Sequence, residues 1–423
     1  MKKMLGFTFI LSLFFLIACN GGVDYGDFPE TIEFIIEQAE AEIERGIIPG
    51  ISVAFVDLNT GFTWTQGFGY ADASEDIPVT NETMFNIDRI SQIFTAVAVM
   101  QLVEQGLIDL DEPIVTYLPE FNTLDRNYQN VTTRMLLNHT SGAEWPPTWL
   151  FETINIMELP TALNASDFVY LINYLEFYYE DIILFHSLNQ QNPAYMNNFL
   201  SALSEYYIFP EADPRLSFSP IITGYTILGI LLAAVMNQTN YFYGFADYMN
   251  EFIFAPAQMS QSTFIMTEEL VPYMAMPAGG EEVVFANILP AASMFTTAED
   301  MAEFMHLILD GGGILLGEAY LNQMFDVAEN EVDRTFGIYG SHTMVGYNHI
   351  DRGFGFDFLG NDMVGQSFGF HNFSFQYSSA MYLNLEEGMG VFITMNSERV
   401  GGLNLLPSTI LRTAIEERQG RNE

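Results

Sequence analysis

Apolar positions recur along most of this chain with a readable period. Ile32, Ile35, Ile36, Ala39 and Ile43 fall at helical spacing within Glu30–Arg45, acids lie opposite, and Pro49-Gly50 ends the helix. Ile51, Val53 and Phe55 then alternate with smaller or polar neighbours. Asn59-Thr60-Gly61 supplies a turn, and Phe62–Tyr70 predicts a second strand. The glycines of Gly67–Asp72 stand at the end of that hairpin with no helix after them, which predicts a turn rather than a phosphate loop. The stretch from Phe85 opens on a polar turn and continues as a helix. Ile93, Ala96, Val97, Met100 and Val103 share one face of it, Gln101, Glu104 and Gln105 fall off that face, and Gly106 supplies the stop.

Trp145–Arg215 is long, aromatic and acidic, with Tyr170, Tyr174, Phe177, Tyr178 and Tyr179 crowded together. Helical pieces are expected there, serving either as a cap over a cleft or as a lid that touches ligand. Ile221–Met236 is apolar, but it is short for a membrane span and broken by Thr223 and Gly224. Met301–Leu309 reads as an amphipathic helix. Phe373–Leu385 and Met389–Met395 alternate on either side of Glu386-Glu387-Gly388 and predict an antiparallel hairpin. Leu405–Glu417 predicts a last helix, with Pro407 tolerated in its first turn.

Composition narrows the function classes. The 423 residues are 49% hydrophobic and 14% aromatic, enough to bury a sizeable core. Only 13 Lys and Arg stand against 54 Asp and Glu, which excludes a phosphate-neutralising surface and hence nucleic acid as a partner. Lys2-Lys3 and an apolar run to Leu16-Ile17-Ala18-Cys19 form an n-region, an h-region and a small residue before a cut. Its ending resembles a bacterial lipobox, which implies a lipoprotein signal peptide over 1–18 and lipid on the thiol of Cys19. The expected location is therefore the cell envelope, outside the cytoplasm. Residues 19–29 then read as a tether, and 30–420 as one domain carrying the insert at 145–215.

Several segments resemble the serine beta-lactamase and penicillin-binding-protein-like family, in the family's order. Phe94-Thr95-Ala96 and Leu107-Ile108-Asp109-Leu110-Asp111 match its nucleophile helix and the turn after it. Gly67–Asp72, Val131–Gly142 (VTTRMLLNHTSG), Pro256–Met259 and Ala291–Asp300 (AASMFTTAED) match further segments. The resemblance implies a mixed α/β domain, an antiparallel sheet flanked by helices. It also makes His139 and Ser141 a structural turn rather than a base and nucleophile.

The catalytic letters of that family are replaced. Arg89 stands where the resemblance puts the nucleophilic Ser, and Gln92 where it puts the Lys of Ser-x-x-Lys. The Tyr-x-Asn positions fall on Phe218 and Pro220, or on Pro220 and Ile222 counted back from Gly224-Tyr225. In one register the third motif, His- or Lys-x-Gly, becomes Gln366-Ser367-Phe368; in a second it becomes His371-Asn372-Phe373. A guanidinium stays protonated and is no nucleophile, and Gln92 takes up no proton. Deleting a hydrolase nucleophile alone costs on the order of a million-fold in rate.

The expectation is a lipid-anchored pseudoenzyme acting as a binding or regulatory module. Its candidate ligand is a peptide or cell-wall-derived molecule, with Arg89 either a contact that could clamp a carboxylate or simply paired with Asp88 or another of the many acids. The alternative is an active serine hydrolase using Ser91, Ser219 or Ser367; a third reading is a structural envelope protein whose acidic face binds cations or a partner. No cofactor is implied. No metal is expected either: the His342, His349 and Asp351 group reads as a solvated loop, and Asp351 with Asp357 carries little information among so many acids.

Overall fold

The computed structural model describes residues 24–46, 48–141, 186–188, 191, 193–204, 222–278, 283–325, 357–358, 367–373, 376–397 and 406–422. The leader, Cys19, most of the insert, Phe218, Pro220, Ser219, His342, His349, Asp351 and Gln366 lie outside them.

Helix α1 (Pro29–Glu44) leads into β1 (Gly50–Asp57), β2 (Phe62–Asp72) and the short β3 (Ile77–Pro78). Strand β4 (Phe85–Asn86) and a 3-10 turn at Asp88–Ile90 feed α2 (Ser91–Glu104), and α3 (Thr133–Leu137) follows. Within the insert, β5 (His186–Leu188) and α4 (Pro193–Leu203) are described, and then come α5 (Ile222–Val235) and α6 (Tyr241–Tyr248). Next in order are β6 (Val284–Ala286), α7 (Leu289–Ala292), β7 (Phe295–Thr296), α8 (Ala298–Leu309) and α9 (Glu318–Phe325). The last elements are β8 (Asp357–Phe358), β9 (Ser367–Phe373), β10 (Ser378–Asn384), β11 (Met389–Met395) and α10 (Leu406–Asn422).

The main sheet runs β3-β2-β1-β11-β10-β9-β8 and is antiparallel throughout, so the N-terminal hairpin joins the C-terminal strands through β1 and β11. Both of its faces are covered. Ile51, Val53 and Phe55 point with Val391 and Ile393 into a core shared with Ile32 and Ile35 of α1 and Ile410 and Leu411 of α10. Ala54, Val56, Phe392 and Leu383 face the other way, into the larger core built on α2, α5 and α8. The alternation read in β1 is thus large against small on two buried faces, not buried against exposed: all eight residues are buried. Small Ser52 and Ala54 leave room for α8, which packs directly on β1.

The central helix departs from the one-faced expectation in the same way. Every residue of α2 from Ser91 to Leu102 is buried, so it is the spine of the larger core. Gln101, expected off the apolar face, is buried and satisfied. Its Nε2 donates to the carbonyls of Phe252 (3.2 Å) and Leu315 (2.7 Å), and Tyr248 Oη donates to its Oε1 (3.1 Å). Val103, expected on that face, is only half-buried.

Three further expectations need correction. Gly67–Asp72 is strand, the second half of β2, not a turn. The glycines are required by a close crossing: a Cβ at Gly67 would sit 2.5 Å from the Val79 side chain, and Gly69 has φ +68°. The expected strand Phe373–Leu385 is two strands with a chain reversal between them, since Phe373 ends β9 and faces Ser378 at the start of β10. An unbroken alternation of apolar and polar residues runs through that reversal and hides it. Helix α8 starts earlier than Met301 because Thr297 Oγ1 accepts the Asp300 N–H at 3.2 Å and caps it at Ala298. Helix α5, the apolar stretch weighed as a span, is buried in the larger core, and no described helix is long and apolar enough to cross a membrane.

Candidate functional site

The site is built on the turn that enters α2. Asn86 ends β4, which pairs Phe85 with Thr296 and Asn86 with Phe295. Its side-chain Oδ1 accepts the Asp88 N–H at 2.8 Å, an Asx turn that fixes the chain as it leaves the strand. Asp88 then adopts φ +44°, a left-handed conformation that costs a non-glycine residue of order 1–3 kcal/mol and persists only where neighbours enforce it. Ser91 is one such neighbour: its Oγ–H donates to the Asp88 carbonyl, and its Oγ accepts the Met294 N–H at 3.1 Å. Ile87 N–H to Met294 O, at 2.9 Å, completes the frame.

Arg89 stands in the middle of this turn, half-buried, and neither it nor Asp88 is without a partner. One helical turn on, Gln92 is 2% exposed, and its Nε2 has no hydrogen-bond partner among the described residues. An unpaired buried amide costs roughly 1–3 kcal/mol, which is unusual away from functional sites.

The turn packs on β9 and β10. Tyr377, just before β10, shares a small core with Phe85 and lies 6.3 Å from the Phe295 ring. Burial raises the Tyr377 phenol pKa well above its ordinary range, so the O–H remains a donor, to Ala275 O at 2.7 Å. The hairpin end of β9 and β10 therefore lies at the head of α2. His371, which faces Ala380, belongs to that end. Ser367 and Phe368 face Asn384 and Leu383 at the opposite end, roughly 20 Å from Phe373 at about 3.3 Å per residue. Of the two registers for the third motif, the backbone brings only His371-Asn372-Phe373 to the head of α2.

The other candidates separate accordingly. Ser91 is fully buried and both its donor and acceptor roles are taken, so it is part of the frame and not an available hydroxyl. His139 is buried at φ +59° with its ring 5.1 Å from Tyr225, whose hydroxyl donates to Leu137 O at 2.8 Å. That packing locks the segment after α3 onto α5, as a structural turn would be. Phe218 and Pro220 lie outside the described residues, but α5 begins just after them and packs on α2. Among the described residues no group of three His, Cys, Asp or Glu could hold a metal ion. The Asn86–Asp88–Ser91 frame was not visible as a site from sequence; only Asn86-x-Asp88, an Asx-turn pattern, hinted at it.

At the positions the resemblance assigns to nucleophile and base stand a cation, Arg89, and a carboxamide, Gln92, and the nearby Ser91 hydroxyl donates to a backbone carbonyl.

Comparison with known proteins follows the same outline. A family model described as Beta-lactamase matches residues 36–158 and 221–406. Serine beta-lactamase-like protein LACTB, mitochondrial, of Bos taurus is 40% identical over 101 residues, covering 23% of this chain and 17% of that protein. Protein flp of Staphylococcus aureus is 24% identical over 294 residues, 67% of this chain and 49% of that one. The chain thus spans half or less of the length of these two relatives. The structure of the octameric penicillin-binding protein homologue from Pyrococcus abyssi superposes with a TM-score of 0.64 at 22% identity, covering 93% of this chain and 78% of that one. That likeness carries the fold.

Proposed function

Because the chain belongs to the beta-lactamase family, we propose that it is a non-catalytic member, tethered by lipid at Cys19 and kept at the cell envelope as a binding or regulatory module. The observation that supports this most strongly is the head of α2. The turn is strained and framed by side chains, the residue at its middle is Arg89, and three residues on is Gln92, whose Nε2 has no partner among the described residues. A frame maintained at a strain cost, with donors where a nucleophile and base would be, suits recognition of an acceptor-rich ligand. A carboxylate on a peptide or cell-wall-derived molecule fits that chemistry.

The rival reading is an active serine hydrolase using Ser219 or Ser367. Ser91 does not suit that role, and Ser367 stands at the far end of β9 from the turn. Turnover assays on the purified protein with a chromogenic cephalosporin and a p-nitrophenyl ester should give rates equal to buffer. Turnover well above buffer that disappears in Ser219→Ala or Ser367→Ala would reverse the reading. On the same preparation made in a lipoprotein-processing host, Cys19→Ser should move the protein from the detergent phase to the aqueous phase. Unchanged partition would remove the anchor.

A further inference from the structure

A recessed surface lies apart from the head of α2. It is a pocket of about 240 Å3 between the β2–β3 end of the sheet and the 3-10 turn at Val271–Tyr273. None of its lining comes from the Asp88–Ile90 turn, α2 or β9. Its walls are Ile77, Pro78, Val271, Pro272, Tyr273 and Met274, and Asp72 and Glu82 stand among them.

Three observations indicate what it holds. The first is exposed apolar surface. Ile77, Val271 and Tyr273, all in the pocket lining, are 44–45% exposed and account for three of the ten large hydrophobic side chains exposed among the described residues. Such residues scattered singly need no explanation, but gathered around a recess they mark a contact surface.

The second is charge. Asp72, Glu75, Asp76, Glu82, Glu268 and Glu269 lie on the two segments that form the pocket, and all but the half-buried Asp72 are exposed. No Lys or Arg occurs between Arg45 and Arg89 or between Arg215 and Arg334, so neither segment supplies a counter-charge. A second copy of this chain, at net charge −41, would be repelled, as would any polyanion.

The third is size and edge chemistry. The pocket is smaller than the 300–1,000 Å3 typical of small-ligand sites, so it accommodates about one long side chain. Strand β3 is the sheet edge, but Pro78 has no N–H and β3 is two residues long, which disfavours addition of a partner strand.

We propose that this pocket docks a lysine or arginine side chain presented by a partner polypeptide. The methylene stem packs on Ile77, Val271 and Met274, and the cation stays at the rim, where the carboxylates of Asp72 and Glu82 and the ring of Tyr273 attract it. The reading is independent of the state of the α2 site, because no residue is shared.

The test uses the full chain and a fluorescent peptide alternating leucine and lysine, with a glycine–lysine peptide of equal charge and a leucine–glutamate peptide as controls. The leucine–lysine peptide should bind most tightly, and the leucine–glutamate peptide should not bind. Tyr273→Ser should weaken binding about tenfold, and Asp72→Asn with Glu82→Gln should weaken it by a similar factor and flatten its salt dependence. Tyr273 is exposed, so its melting temperature should hold; should it fall, Ile77→Ser at an equally exposed position gives the same comparison. Equal binding of the glycine–lysine peptide, indifferent to Tyr273→Ser or Ile77→Ser, would reduce the effect to general acidity and overturn the proposal. So would failure of the leucine–lysine peptide to bind.

Discussion

Arg418→Met should lower the stability of the domain by about 3–5 kcal/mol, read as a fall in the urea midpoint at unchanged slope. Arg418 lies on α10 and reaches the last residue of β1. Its Nη2 meets Asp57 Oδ1 at 2.6 Å, and its Nη1 donates to Glu387 O at 2.8 Å, in the turn between β10 and β11. Asp57 is fully buried, so the mutation leaves a carboxylate in the protein interior that keeps, among the described residues, only Thr60 Oγ1 (2.7 Å) and a long contact from Asn59 N (3.4 Å). The cost comes from that abandoned charge rather than from the worth of the pair. Removing both, as Asp57→Asn with Arg418→Met, should therefore recover most of the loss. A single-mutant effect under 1 kcal/mol would mean that Thr60 and Asn59 satisfy Asp57 on their own. The Arg418 Nε is itself buried without a partner among the described residues, which fits a side chain held in place for its two terminal nitrogens.

Asn396→Leu should cost about 2–4 kcal/mol, and Asn396→Asp at least as much although it is nearly the same shape. Asn396 follows β11 and is fully buried. Its Oδ1 accepts the Gly50 N–H at 2.8 Å, and its Nδ2 donates to the carbonyls of Tyr70 (3.1 Å), Ala71 (3.2 Å) and Met276 (2.7 Å). One amide thus ties the start of β1, the end of β2 and the 274–278 segment to the end of β11. Leucine leaves those groups unpaired. Aspartate keeps the bond to Gly50 but turns an oxygen toward three carbonyl oxygens. If Asn396→Asp proved harmless, the donor role assigned to Nδ2 would be wrong. Thermal melts of the three proteins side by side decide it.

The parts of the fold legible in sequence were those that repeat locally. The apolar period of α1, the turn before β2 and the Pro-tolerant start of α10 depend on neighbours a few residues away, and they stand within a few residues of where they were read. Burial on two sides was not legible in the same way. For β1 and α2 the pattern distinguishes large from small residues, and only the layers packed against them reveal that the small ones are also inside. Gly67 and Gly69 looked like punctuation because their requirement comes from Val79 and Pro49 crossing close above the strand, a contact with no local signature.

The same division holds at the site. Arg89 and Gln92 could be numbered from sequence because Phe94-Thr95-Ala96 fixes the register of α2. What surrounds them could not: Ser91 looked like a spare nucleophile, and its engagement with Met294, more than two hundred residues on, is a tertiary fact. The two readings of the third motif were equally consistent with the letters. Pairing of β9 with β10, and the packing of Tyr377 on Phe295 and with Phe85, bring one of them to the turn.

The central claim is that no side chain at the head of α2 forms an acyl-enzyme. Intact-mass spectrometry tests it most directly, on folded protein freed of its first 19 residues and exposed in excess to a fluorophosphonate and, separately, to a reporter penicillin. The account predicts an unshifted mass with both reagents. A stoichiometric adduct would contradict it, and peptide mapping of that adduct would name the serine that Arg89 was thought to have replaced.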